Sequence, residues 1–272
     1  MDVLLFALDP GYASAALGAG ISGIVVDWEW RGKVLRQKGA GTEINRGTTE
    51  DLARMRSAIT GHLICRINNE PATRIIEAQQ ALELGANEIW LPMVRDLDEV
   101  VECLRAIDGK AELGVLVETR AALELGRELS KLPLARVFAG LNDLRLDTGG
   151  IGLFDPLVNG MIDRFRDSYD GRFGFGGITR LNAGWPVPQR ILLAEMARLR
   201  CDFGVARRSF RADVGAGEIA GALWLIDAEM ERLKQRGLED IALDHARLKE
   251  AASASVEMAP RGAGCHKCQS GC

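Results

Sequence analysis

The chain has 272 residues, enough to bury a full core as one barrel or as two small domains, and no shift in composition divides it. Its 38 acidic residues against 34 basic ones leave a slightly negative, scattered charge, which excludes the basic footprint of a nucleic-acid binder and makes small-molecule chemistry the default. The opening Met1-Asp-Val-Leu-Leu-Phe carries neither a basic leader nor a cleavage site, and no apolar run reaches membrane-spanning length, so no membrane partner is expected and the expected location is cytoplasmic.

In chain order, eight short apolar runs read as buried strands: 3–8, 23–27, 63–68, 88–93, 113–118, 136–141, 172–177 and 202–206. Amphipathic stretches separate them. The clearest is Ala72-Thr-Arg-Ile-Ile-Glu-Ala-Gln-Gln-Ala-Leu-Glu-Leu-Gly85, with apolar positions at helical spacing and a glycine stop. Asp96 and Asp98 open the next helix, and Pro186 with Pro188 mark the start of the seventh. Eight strands alternating with helices over about 250 residues define an α/β chain of the (β/α)8 TIM-barrel type. A doubly wound sheet is the rival, but no Gly-x-Gly-x-x-Gly turn follows the first strand and no Gly-Lys-Ser/Thr loop occurs.

The helical pattern running from about 218 through 237 to 252 exceeds one barrel unit. Ile219, Leu223, Leu225, Ile226 and Met230 are expected on the barrel, while Leu238, Ile241, Leu243 and Leu248 need a further surface, either a neighbouring subunit or the chain's own barrel. The expected organisation is a barrel domain over 1–236, an extended C-terminal helix over 237–254 and a flexible Cys-rich tail over 255–272. Cys65, Cys103 and Cys201 read as buried small hydrophobes. Cys265, Cys268 and Cys272, with His266 among them, offer soft donors for zinc or thiols for redox exchange, or form a non-essential end.

Two acids stand out because each closes an apolar run: Glu118 ends Leu113-Gly-Val-Leu-Val-Glu and Asp143 ends Val137-Phe-Ala-Gly-Leu-Asn-Asp. A buried parallel strand delivers such an acid to the carboxyl end of the barrel, where chemistry sits. Two carboxylates there repel unless a positive charge lies between them, and a hard divalent ion such as Mg2+ or Mn2+ meets that need. Other strand ends add Asp27, Trp28, Glu29, Trp30, Arg31 and Lys33, then Arg66 and Asn68, then Gly140, Asn142 and Leu144. Trp28 and Trp30 either narrow or stack in the pocket or pack beneath the second loop. Arg180, Arg207, Arg208 and Arg211 follow the last two strands, and either bind a phosphorylated or coenzyme A-linked substrate or form a solvated rim.

The ordered set Gly-Ile-Val-Val-Asp27-Trp-Glu29, Cys-Arg66-Ile-Asn68, Gly-Ala-Asn-Glu-Ile-Trp-Leu-Pro92, Val-Leu-Val-Glu118-Thr and Phe-Ala-Gly140-Leu-Asn142-Asp143-Leu144 resembles the HpcH/HpaI aldolase and citrate lyase beta-subunit family, over about residues 3–210. The resemblance implies a TIM barrel that cleaves carbon-carbon bonds through the enolate of a pyruvate-type 2-oxo acid or an acyl-CoA thioester. It implies Mg2+ or Mn2+ on Glu118 and Asp143, Arg66 on the substrate carboxylate or enolate oxygen, and Gly140, Asn142 and Leu144 beside the substrate. A homo-oligomer, trimer or hexamer, is implied as well. The chemistry agrees with these roles, since an enolate needs its developing charge stabilised and arginine matches a carboxylate with a permanent planar fork.

Three departures shape the expectation. Aldolases of the family often carry Glu-His after the second strand, where this chain has Glu29-Trp30, and His62, His245 and His266 are not placed to substitute. Proton transfer then falls to Asp27, Glu29 or metal-bound water. Leu116 replaces a glutamine, a pattern closer to the citrate lyase branch, and Leu141 replaces the proline of the family's Gly-Pro-x-Asp-Leu loop. A decarboxylase or condensing enzyme on the same barrel, or a non-catalytic metal- or thiol-binding barrel, are the alternatives.

Overall fold

Aliphatic runs buried on both faces are satisfied when a parallel sheet is covered by helices on one side and filled by its own side chains on the other. A computed structural model, which describes residues 1–33 and 46–258, shows this arrangement. Its strands are β1 (Asp2–Phe6), β2 (Gly23–Asp27), β3 (Leu63–Arg66), β4 (Glu88–Leu91), β5 (Glu112–Val117), β6 (Arg136–Ala139), β7 (Phe173–Ile178) and β8 (Phe203–Ala206). Neighbours in sequence pair in parallel, and β8 closes the barrel on β1. The rival open sheet is thereby excluded.

Because strand side chains alternate, each strand contributes to two cores. Outward residues such as Ile24, Val26, Cys65, Val115 and Val117 pack beneath the helices. Inward residues Leu4, Val25, Ile64, Trp90, Leu116, Phe138, Phe203 and Val205 fill the barrel. The Trp90 and Phe138 rings stack with centroids 5.4 Å apart, so the middle of the barrel is a solid aromatic plug. Cys65, Cys103 and Cys201 are buried free thiols, as their surroundings suggested, and burial pushes Cys103 up to about 12.

Below the plug, at the amino ends of the strands, lies a buried ion pair. Arg136 donates from Nε to Glu88 Oε1 at 3.0 Å and sets Nη2 2.9 Å from Oε2, while Trp90 Nε1 donates to Oε1 at 2.7 Å. His62 Nε2 lies 2.9 Å from the same Oε2.

The C-terminal segment forms two helices, Ile219–Lys234 and Leu238–Met258, the second running past the expected end at 254. Ile219, Leu223, Ile226, Met230 and Leu233 form the buried stripe of the first; Leu225 lies off that spacing and is exposed, contrary to expectation. The second helix folds back on its own barrel: Leu248 and Ala252 are buried, and His245 Nδ1 lies 3.1 Å from Glu195 Oε2 on the helix Gln189–Arg198. Leu238 and Leu243 remain exposed. Cys265, His266, Cys268 and Cys272 fall outside the described residues. No helix among the described residues is long and apolar enough to cross a membrane.

Removing one partner of a buried ion pair strands the other's charge, at a cost of about 3–5 kcal/mol. Arg136→Met is therefore expected to lower the urea midpoint strongly, and adding Glu88→Leu to recover much of the loss. Equal midpoints for the two variants would show that the pair is not what holds this end of the barrel.

Candidate active site

The site follows from strand register. Pairing of β2 with β3 sets Asp27 opposite Arg66. Both lie two residues beyond inward-facing neighbours, Val25 and Ile64, so alternation turns them toward the barrel axis above the plug. Arg66 grips Asp27 with two bonds, Nε to Oδ1 at 2.8 Å and Nη2 to Oδ2 at 2.6 Å. Its remaining edge, Nη1, faces Glu29 Oε2 at 3.4 Å and Glu118 Oε1 at 4.0 Å. Phe6 lies beneath, its ring centroid 5.0 Å from the guanidinium carbon.

Glu118 reaches the same floor because it follows inward-facing Leu116 by two residues. Its Oε2 accepts from the Met93 backbone N–H at 3.0 Å. Its Oε1 lies across the end of β6, where a Cβ on Gly140 would come within 2.3 Å of it. Residue 140 must be glycine for the carboxylate to occupy this place. Asp143 sits in the first turn of the following helix, Leu141–Thr148, and is buried.

Lys33 completes the floor. Its ammonium, 2% exposed, lies 3.1 Å from Glu29 Oε2 and 3.7 Å from Asp27 Oδ2. Asp27, Lys33, Arg66, Glu118 and Asp143 together line a cavity of about 270 Å3, toward the small end of ligand pockets. Phe6, Phe138, Leu153 and Phe154 give it apolar walls. Glu29 is buried behind the floor and does not line the cavity, so it holds Lys33 and Arg66 in place instead of facing a substrate.

The floor brings the carboxylates of Asp27, Glu118 and Asp143 together with the cations Lys33 and Arg66, and Glu29 lies behind them. Neighbouring acids act on Glu118. Burial first, then the fields of Glu29 and Asp143, push its carboxyl up to about 8, against the partial relief of Arg66 and Lys33. Glu118 and Asp143 are buried oxygen donors at this floor, the kind of donor a hard divalent ion takes.

Several residues named from sequence lie elsewhere. Leu144 was expected beside the substrate, but it is fully buried in the core between barrel and helices and does not line the cavity. It follows Asp143 on a helix and so points about 100° away. Asn68 is a clamp: Oδ1 accepts from the backbone of Trp30 at 3.1 Å and Arg31 at 3.0 Å, and Nδ2 donates to Trp28 O at 2.9 Å. Trp28 is buried with its indole N–H on Thr48 O at 2.9 Å, which is the packing role beneath the loop; Trp30 is exposed, and neither lines the cavity. Asn142 does line it, and its buried Nδ2 has no partner among the described residues.

Sequence reasoning missed what Lys33 does. The signal was its spacing, since Glu29 and Lys33 are four apart, the separation at which a short turn joins acid and base. His62 and His245 are far from the floor, in the contacts described above. His62, Glu88 and Glu112 bring three potential ligand atoms within 4.8 Å of one another, but at the amino end of the barrel, where Arg136 already takes up the Glu88 charge.

No family model matches the chain, and no curated protein sequence matches it. Among solved structures it is similar to an HpcH/HpaI aldolase from Desulfitobacterium hafniense DCB-2, with TM-score 0.58 and 14% identity over 87% of this chain and 94% of that one. RipC from Yersinia pestis gives 0.53 and 15% over 89% and 98%. Orotidine 5'-phosphate decarboxylase from Pyrococcus horikoshii OT3 gives 0.53 and 16% over 84% and 99%. The resemblance to the HpcH/HpaI group therefore holds at the level of fold. A barrel shared by an aldolase and a decarboxylase does not choose the reaction, which has to be argued from the site.

The raised Glu118 carboxyl has a consequence for stability. In metal-free folded protein it keeps its proton to about pH 8, while in the unfolded chain it ionises near 4.5, so the folded state binds more protons between those values. Its contribution to stability therefore falls as pH rises through that window. Glu118→Gln, denatured with urea in the presence of a chelator, is expected to gain on the wild type steadily from about pH 4.5 to about pH 8. A difference that stays constant with pH would mean that Glu118 is ionised throughout.

Proposed function

We propose that this barrel is a divalent-metal-dependent carbon-carbon lyase acting through the enolate of a pyruvate-type 2-oxo acid or an acyl-CoA thioester. The supporting observation is the convergence of Asp27, Lys33, Arg66, Glu118 and Asp143 on one cavity floor. A hard divalent ion on Glu118 and Asp143 supplies Lewis-acid stabilisation of an enolate oxygen.

The chain's own groups have separable tasks. Arg66 spends Nε and Nη2 on Asp27, so it meets a substrate carboxylate with its Nη1 edge, as one permanent charge in a fixed place. Asn142 Nδ2 offers a donor to a substrate oxygen. Gly140 leaves Glu118 room at the floor, and the Phe6, Phe138, Leu153 and Phe154 walls exclude water, which strengthens every charge inside. Both acids expected to move the proton are already engaged by cations, Asp27 by Arg66 and Glu29 by Lys33. The proton donor in this reading is the Lys33 ammonium, which lines the cavity on the same loop as Trp30, the residue that stands where the family resemblance places a histidine, and the acceptor of the substrate proton is Asp27, which lines the same cavity.

Assembly into a homo-oligomer is part of the proposal, with the exposed Trp224, Leu225, Leu238 and Leu243 as apolar surface available to it. Light scattering that returns a monomer at working concentration would remove that part alone.

Proton-deuterium exchange at the methyl group of pyruvate in D2O, followed by NMR with Mn2+ or Mg2+ present and then chelated, tests the reaction. Metal-dependent exchange is expected, lost in Glu118→Ala and Asp143→Ala. Absence of exchange with pyruvate, and with acetyl-coenzyme A in its place, would overturn enolate chemistry; product analysis then separates cleavage from decarboxylation. Lys33→Met is expected to slow exchange by about 10²–10⁴, the usual worth of a general acid-base group. Lys33→Arg keeps the charge but gives up its proton far less readily, so full rescue by arginine would reduce Lys33 to an electrostatic role.

A further inference from the structure

The cavity has a second pole. Of the four arginines that follow β7 and β8, two are engaged elsewhere: Arg180 pairs with Glu218, and Arg211 pairs with Asp9 at 3.2 Å and rests on the Tyr12 ring at 4.7 Å. Arg207 and Arg208 line the cavity. Arg207 follows inward-facing Val205 by two residues, so the alternation that turns Asp27 and Glu118 toward the axis turns it the same way. Its backbone N–H donates to Ile178 O at 2.8 Å, fixing it to the end of β7.

There the ladder is irregular, shifting register between Gly176 and Ile178, and Gly177 adopts a φ of +124°, which only glycine takes without strain. The bulge brings glycine backbone to the cavity wall beside Arg207. The Arg207 side chain is half-buried and makes no hydrogen bond or ion pair with a described residue. The nearby acid Asp213 accepts from Ser209 Oγ at 2.6 Å and Thr179 Oγ1 at 2.7 Å, and feels the Arg207 charge only through space, without a hydrogen bond or ion pair to it.

A half-desolvated guanidinium in a pocket, with its neighbouring acid satisfied by hydroxyls, is a site for an oxyanion. Phe138, Val205, Leu153 and Phe154 line the same cavity as Arg207 and the acidic floor. We propose that Arg207, with Arg208 beside it, binds a compact oxyanion, phosphoryl or carboxylate, at the end of the substrate remote from the reacting carbon. The substrate is then a small molecule with anionic groups at both ends and an apolar or neutral middle. This inference rests on reading the cavity as a substrate site, and it is tested without metal or turnover, so its failure is distinguishable from failure of the enolate assay.

Inorganic phosphate and acetate are titrated separately into the chelator-treated full chain by calorimetry. Saturable binding of at least one is expected, weakened at least about tenfold in Arg207→Ala and partly restored in Arg207→Lys, as for loss of one charge-assisted bond. Phosphate alone binding identifies a phosphoryl end, and acetate binding as well a carboxylate end. Equal affinity in wild type and Arg207→Ala, or no saturable binding of either anion to the wild type, overturns the proposal. Melting temperatures of the variants should match the wild type, because Arg207 has no described partner to lose; a lowered melting point with unchanged anion affinity would make Arg207 a structural residue.

Discussion

The floor of the cavity depends on the buried pair of Asp27 and Arg66. Two charged residues at adjacent strand ends are placed opposite each other by register, and the doubly bonded contact between them is possible only in that register. A slip of β3 by one residue would turn Arg66 out beneath the helices and Cys65 into the barrel, leaving Asp27 without its partner. Once the pair is fixed, the remaining guanidinium edge draws Glu29 and Glu118 toward it, and Glu29 in turn holds Lys33. Every member of the cluster is buried, so each depends on the others to offset the cost of leaving water.

The barrel carries charge at both ends with an aromatic plug between, and the two ends are used differently. At the amino end Glu88 is saturated by Arg136, Trp90 and His62 and has no cavity to open into, which is the arrangement of a structural staple. At the carboxyl end the acids are held at the floor of an open cavity, and burial with the fields of Glu29 and Asp143 raises the Glu118 carboxyl. The same alternation of side chains that stabilises one end thus gathers charged groups around a cavity at the other. Stability and chemistry are separated along the strand axis by about two residues of plug.

Much of this was legible in the sequence because a strand buried on both faces is written as an uninterrupted apolar run, and all eight were. Their ends were overestimated at 8, 68, 93 and 141 because burial continues past the strands: Ile67, Met93 and Leu141 are buried beyond the last strand residues. Asp27, Arg66, Glu118, Gly140 and Asp143 were legible as residues that break those runs. Leu144, Asn68 and Glu29 were misjudged because proximity in sequence to a strand end does not give direction, and direction is set by helix phase in one case and by loop hydrogen bonds in the others. Among the four arginines, nothing in local sequence distinguishes Arg207 from Arg180 or Arg211. The distinction lies in partners from distant segments, Glu218 and Asp9.

The inward position two residues beyond the plug is where apolar filling gives way to polar groups in this barrel. Those positions read aspartate on β2, arginine on β3, glutamate after β5, glycine after β6 and arginine after β8. The glycine admits the glutamate, the first arginine orders the acids, and the last lines the cavity without a described hydrogen bond or ion pair. Such a set is asymmetric across the mouth, with acid concentrated on the side of β2 to β6 and basic charge on the side of β8. A ligand entering this mouth experiences a field directed across the cavity, and only a molecule whose own charge distribution matches that direction gains from both sides at once. The orientation of a bound substrate is then set before any bond to it changes, by residues on strands at opposite sides of the barrel.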